Sequence, residues 1–264
     1  MNINLLYETK KIVLNTYGLK DTYITNHPNS KYTLDEIISE LFYFLKSGVS
    51  WNLLRSPINY KTLHWHFTKF VKHKIFIRLY FKIRRIYLNK YTHNINSCYI
   101  DSTCIFNKYG TRKIGRNKFY KNKRVTKISL MTDSNGFPLS IFFMKGNYHD
   151  NTVFNKHIKD VTVLIPNKTI KIIADKAYSS KSNYKLLDEC NLQHIIPPRK
   201  NMKIYDSYKY NSNEYIKRIK IEHIFARLKS FKRLSMRYDK LFTTFNSFVY
   251  FAFSSIACNL LNKL

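Results

Sequence analysis

The sequence predicts an α/β domain preceded by a helical region, and three observations carry that prediction. Apolar residues recur at helical spacing up to about residue 90, and near Tyr91–Asn96 the pattern turns to strands. The segment Thr169–Ala174 (TIKIIA) is almost continuously apolar, as expected of a strand buried on both faces in a central parallel sheet. From Cys98 onward the elements read strand, hairpin, helix, strand, helix, strand, helix.

Residues 1–30 show a weak helical pattern in their first half and a turn at Asn26–Ser30. Thr33-Leu-Asp-Glu36 is a capping box, with Thr33 as N-cap and Glu36 reaching back to its amide. Ile37–Leu45 follows at helical period, and Gly48 ends the helix. A second helix is expected from about Tyr60 to Val71. A third, Phe76–Lys90, carries Arg78, Lys82, Arg84 and Arg85. Short helices with a tight turn and a basic face fit either a helix-turn-helix-like DNA reader or a helical support region. His64 and His66 lie two apart and diverge by about 200° on a helix, so they are not a chelating pair.

Cys98–Ile105 (CYIDSTCI) reads as a strand with Asp101 at its middle, where an acid is costly unless it has a partner or a task. Residues 107–124 form a basic connector. Val125–Thr132 and Phe137–Lys145 make a hairpin around Asp133-Ser-Asn-Gly136, since Asn-Gly favours a tight turn. Gly146–Asp150 is a loop, followed by a helix at about 151–159. Thr169–Ala174 delivers Asp175 at its C-terminal end, where open α/β sheets place ligands. A helix at about 180–190, a strand His194–Pro197 and a basic loop with Arg199 and Lys200 come next.

Tyr215–Lys229 (YIKRIKIEHIFARLK) reads as a helix. Tyr215, Arg218, Glu222 and Lys229 then share an arc of roughly 60°, with Ile224, Leu228 and Phe231 opposite. Lys217 and Lys220 fall on the apolar side, which marks the first turn as irregular or exposed. The polar face is either a solvated surface with ion pairs or a metal-binding Glu flanked by phosphate-holding cations. An apolar helix from Thr243 closes the chain.

Composition narrows the function. The 264 residues hold 46 Lys+Arg against 16 Asp+Glu, a formal charge of +30, which points to a polyanionic partner. A hydrophobic share of 44% excludes a disordered chain, and 21 Tyr and 19 Phe interleaved with cations suit nucleic acid. Cys98, Cys104, Cys190 and Cys258 form no CxxC pair and read as reduced thiols of an intracellular protein. The N-terminus shows no signal peptide. Phe248–Cys258 is too short and serine-broken to span a bilayer, so a buried C-terminal helix and no membrane partner are expected.

Asp101, Asp175 and Glu222 stand apart from the other acids by context. Three converging carboxylates can hold two Mg²⁺ ions about 4 Å apart, the arrangement for phosphoryl transfer. The spacing Tyr215-x2-Arg218-x3-Glu222-x6-Lys229 resembles the YREK signature of DDE transposases from insertion sequences. Asp101-Ser-Thr resembles their first-Asp motif, Gly146-Asn-Tyr-His-Asp150 the loop after the hairpin, and Asp175-Lys-Ala-Tyr178 the second-Asp motif. Gly48-Val-Ser-Trp51 with Leu54 resembles their N-terminal helical region. Ala177 stands where many relatives have Gly, Ser56-Pro57 replaces Leu-Pro, and the segment between Asp175 and Glu222 lacks the β-rich insertion of some relatives.

The resemblance implies a ribonuclease-H-like fold, a mixed five-stranded sheet with helices on both faces, at 95–264 after a helical, helix-turn-helix-like DNA-binding region at 1–94. It implies Asp101, Asp175 and Glu222 as ligands of two Mg²⁺ ions, with Mn²⁺ able to substitute. Tyr215, Arg218, Lys229 and Tyr178 would bind DNA phosphates, with His149 and Asp150 auxiliary. The expected reaction is hydrolysis at the ends of a mobile element followed by joining of the 3′-OH to target DNA. Double-stranded DNA would be the partner, with a homodimer or larger assembly on it. Two alternatives share some of these features. An inactive or domesticated basic DNA- or RNA-binding protein would share the charge, but the intact triad argues against it. A plain nuclease would share the acids and make no strand-transfer product.

Overall fold

The computed structural model describes residues 2–18, 31–199 and 212–264; the turn expected at Asn26–Ser30, and Lys200, lie outside them. In chain order the first helices are α1 (Ile3–Tyr17), α2 (Leu34–Ser47), α3 (Tyr60–Lys72) and α4 (Ile75–Tyr91). Next come β1 (Ser97–Asn107), β2 (Gly115–Asn117), β3 (Lys123–Asp133), β4 (Pro138–Lys145), α5 (Phe154–Leu164), β5 (Lys171–Ala174), α6 (Lys181–Glu189) and β6 (Gln193–Ile195). The chain ends with α7 (Ser212–Ile216), α8 (Ile219–Ser230), α9 (Lys232–Ser235), β7 (Met236–Arg237) and α10 (Phe242–Leu261).

These elements form two compact units, which do not follow the expected division into 1–94 and 95–264. One comprises residues 1–85, 107–112 and 227–264, the other 86–106 and 113–226. The cause is α10, which is buried almost all round from Phe245 to Cys258 and finds its apolar partners among the N-terminal helices. Phe67 stacks on Phe248 at 4.3 Å and Phe76 on Phe251 at 4.4 Å, while Phe44 stacks on Trp51 at 3.8 Å. α10 begins at Phe242, one residue before the apolar helix expected from Thr243. It is long and apolar enough to cross a membrane, yet 78% of that stretch is buried inside the protein.

In the same unit the capping box forms as expected. Thr33 Oγ1 accepts the Glu36 amide at 3.2 Å, and the Glu36 carboxylate accepts the Thr33 amide at 2.7 Å. Gly48 ends α2 at φ +69°, and a Cβ there would lie 2.8 Å from the backbone of Lys232, so only glycine fits.

The second unit is built on the sheet, in the order β4–β3–β1–β5–β6, with β2 also paired to β3. β3 runs antiparallel to β1, while β5 and β6 run parallel to it and to each other. This is the expected mixed sheet with helices on both faces, although this unit contributes six strands to it and not the five expected. The hairpin closes where Gly136, at φ +78°, donates its amide to the Asp133 carbonyl at 3.0 Å. The buried Asp133 carboxylate accepts the Asn135 and Phe137 amides and the Tyr87 hydroxyl.

Three elements depart from the sequence reading. The connector 107–124 contains β2, paired Gly115 to Val125, and a turn of 3₁₀-helix at Lys118–Tyr120. The helix expected at 151–159 begins as a 3₁₀ turn at Asp150–Val153 and continues as α5 to Leu164. The helix expected across Tyr215–Lys229 is split at Lys217–Arg218 into α7 and α8. Across the break the amides of Lys217, Arg218, Lys220 and Ile221 bond three residues back, so the tight turn leaves Lys217 and Lys220 in solvent. The four cysteines are free thiols.

Candidate active site

Sheet register brings the first two acids together. β1 pairs in parallel with β5, Ile100 opposite Ala174, so Asp101 and Asp175 are the next residues along neighbouring strands. Asp175 leaves the sheet as the cap of a 3₁₀ turn, accepting the Ala177 amide at 3.0 Å. Asp101 remains within β1 and accepts the Ser102 amide at 2.8 Å.

Arg218 joins the third acid to the first. Its Nη1 donates to Asp101 Oδ2 at 2.5 Å and its Nη2 to Glu222 Oε1 at 2.9 Å. The Arg218 and Asp101 side chains are 15% and 22% exposed, and Glu222 is 53% exposed, so the inner bond is the desolvated one. The guanidinium lies 5.6 Å from the Tyr215 ring centre. Burial opposes the Arg218 charge, but Asp101, Tyr215 and Glu222 outweigh it and raise its pKa. Burial pushes the Asp101 carboxyl up; Arg218 draws it down only in part, and the Asp175 charge adds to the rise.

The remaining expected residues divide. Tyr178 is 1% exposed, packs on Phe154 and cannot reach a DNA phosphate, contrary to its expected role. Burial raises its pKa well above the ordinary value, and the charges of Asp150, Asp101 and Asp175 raise it further. His149 is exposed and its carbonyl accepts the Thr152 amide and hydroxyl. Lys229 is exposed in the last turn of α8, two turns beyond Glu222.

Asp150 belongs to a cluster the sequence reading missed. It accepts the Ser102 hydroxyl at 2.5 Å and Lys127 Nζ at 2.9 Å, and Lys127 also donates to the Tyr148 carbonyl at 3.0 Å. The cluster ties the Gly146–Asp150 loop to the residue next to Asp101. Its signal was Lys127 itself, a lysine in the middle of an apolar strand. Gly146 lets the loop close, because a Cβ there would lie 2.3 Å from Val125.

The donors suit a hard divalent cation. Asp101 and Asp175 offer carboxylate oxygens on adjacent strands, and the first is desolvated beside a like charge. Among the described residues no three His, Cys, Asp or Glu side chains are grouped closely enough to hold an ion jointly. Arg218 stands where such a group would close, keeping Glu222 a guanidinium's width from Asp101.

The mixed sheet with helices on both faces is the fold of transposase catalytic domains. Residues 96–254 match the family model described as the transposase DDE domain; the chain belongs to this family and is a DNA-cutting transposase. Among solved structures it is similar to piggyBac transposase in a synaptic complex with hairpin DNA. The identity is 11% over 98% of this chain and 73% of that one, and the TM-score is 0.55. The catalytic domain of Mos1 mariner transposase matches at 11% identity over 70% of this chain and 89% of its own, with a TM-score of 0.36. Among curated protein sequences none matches the chain.

Proposed function

We propose that Asp101, Asp175 and Glu222 hold two Mg²⁺ ions, replaceable by Mn²⁺, and that the chain cuts the ends of a mobile element and joins them to target DNA. The observation carrying this reading is that one guanidinium spans Asp101 and Glu222, 121 positions apart, while register sets Asp175 beside Asp101. When bound, the ions would activate the attacking oxygen and stabilise the leaving one. In the first step a water oxygen bonds to the end phosphate, the bond to O3′ breaks, and a free 3′-OH results. In the second that 3′-OH bonds to a target phosphate and displaces the target's own O3′. The first step is a downhill hydrolysis to a 5′-phosphate and a 3′-OH and the second swaps one phosphodiester for another, so no nucleotide cofactor enters.

Arg218, with Tyr215 under it, and Lys229 complete the YREK spacing and would hold phosphates beside the scissile bond. The Arg fork offers two donors and the Lys a point charge. The Asp150–Ser102–Lys127 cluster keeps the strand bearing Asp101 in place. A homodimer or larger assembly on double-stranded DNA would supply two such sites for two ends. The protein would then be intracellular, wherever its host DNA lies. The test is Mg²⁺-dependent cutting and strand transfer on element-end DNA. Glu222→Gln and Asp101→Asn should bind the ends but yield neither product. Normal cutting by either variant would refute the assignment, and cutting without strand transfer would make the protein a plain nuclease.

A further inference from the structure

No Asp or Glu occurs between Glu40 and Asp101, a stretch with eleven Lys and Arg. α3 lies in its middle, and α4 was the helix the sequence marked as the more basic. The two helices differ in what their cations already touch. On α4, Arg78 donates to Thr16 Oγ1 at 2.7 Å, Lys82 pairs with Glu8 at 2.5 Å, and Arg84 lies 4.7 Å from the Phe81 ring centre. Three of its four marked cations are therefore engaged within the protein.

α3 presents the opposite picture. Leu63, Phe67 and Phe70 are buried, and the other side of the helix is open to solvent. At 100° per residue Lys61, His64, Trp65, Thr68, Lys69 and Lys72 fall within an arc of roughly 140°. All six are exposed. Lys61 and Lys72 have no ion-pair or hydrogen-bond partner through their side chains among the described residues. Trp65 is 52% exposed, with Lys69 Nζ 3.7 Å from its ring centre. A half-exposed indole on a polar helix face leaves apolar surface in water for no gain to the fold.

We infer that this face of α3, not α4, is the surface on which the protein docks duplex DNA. Lys61 and Lys72 would contact phosphates and the Trp65–Lys69 pair would rest against the sugar-phosphate wall. Charge complementarity selects the partner, since the face carries cations and aromatics and no acid. The inference rests on the transposase reading and adds to it a particular helix face.

The test uses the full chain, a short fluorescent random-sequence DNA duplex, and double-stranded RNA of the same sequence. Lys61→Ala with Lys72→Ala should weaken DNA binding and lower the slope of log K against log salt by about 1.8, at about 0.9 per lost phosphate contact. Lys82→Ala, whose ammonium faces Glu8, should leave the slope unchanged. In a Trp51→Phe background, Trp65 emission should change when the duplex binds. Circular dichroism reports whether each variant is folded. An unchanged slope in the folded double variant, unmoved Trp65 emission, or tighter binding of the RNA overturns the inference. Mg²⁺-dependent cutting by the parent chain would still stand in those cases, so failure of the docking face is separable from failure of the transposase reading.

Discussion

Replacing Arg218 by Ala should destabilise the protein by about 2–3 kcal/mol, nearly all of it through Asp101. The bond to Asp101 is a charge-assisted hydrogen bond at 2.5 Å between two mostly buried side chains, a kind worth about 1.5–3 kcal/mol. The bond to Glu222 involves a carboxylate 53% exposed and contributes about 0.3–0.5 kcal/mol. At about 2–4 °C per kcal/mol for a protein of this size, the loss in Tm is about 4–12 °C. The assay is thermal and urea unfolding of Arg218→Ala, Asp101→Asn and the double variant. Asparagine removes the charge that needs a counter-ion, so the double variant should recover about 1.5 kcal/mol relative to the sum of the singles. Mg²⁺ should stabilise Arg218→Ala more than the parent, because in the parent a cation already stands between the acids. Single effects that add within about 0.5 kcal/mol would show that the two residues are uncoupled and refute the reasoning.

Two further outcomes follow from buried polar groups. His157 is fully buried with Ser129 Oγ 2.8 Å from one ring nitrogen and Ser140 Oγ on the other, and burial pushes its pKa down to about 3. A depressed folded value means stability is complete above about pH 6.5 and lost as pH falls toward 3. By pH ~4.5 this group alone should cost about 2.7 kcal/mol in urea unfolding, and His157→Phe should flatten that dependence while lowering stability at pH 7. Lys127→Met should cost about 1–3 kcal/mol by leaving the Asp150 carboxylate with Ser102 alone, and adding Asp150→Asn should return most of it; no recovery in the double variant would sever the link between them.

The local chemistry of the chain was legible where one residue decides one geometry. The Thr33 capping box, the Gly48 stop and the turn at Asp133–Gly136 formed as their residue types dictate. Asp101 and Asp175 stood out because an acid inside or ending an apolar strand is a conflict visible without coordinates. Features resting on partners distant in sequence were hidden. Tyr178 matches a motif by position, yet its burial depends on α5 and the sheet packing around it. The break at Lys217–Arg218 showed only as two lysines on the wrong side of a wheel, and the Arg218 bridge requires β1 and α8 together. β2 was masked by a polar composition that favours loops, because its three residues gain strand geometry only from β3.

The placement of α10 has a consequence for how the protein is made. The helical unit draws on residues 1–85 and 227–264, so its N-terminal helices lack a main apolar wall until α10 has been made. A chain stopped after Ala226 would hold the whole second unit, including Asp101, Asp175 and Glu222, while α2, α3 and α4 exposed Phe44, Phe67 and Phe76 without their facing helix. α10 must therefore be made before the face of α3 is set in a folded support. A copy stopped before α10 keeps the sheet unit with its three acids but loses the scaffold beneath α3.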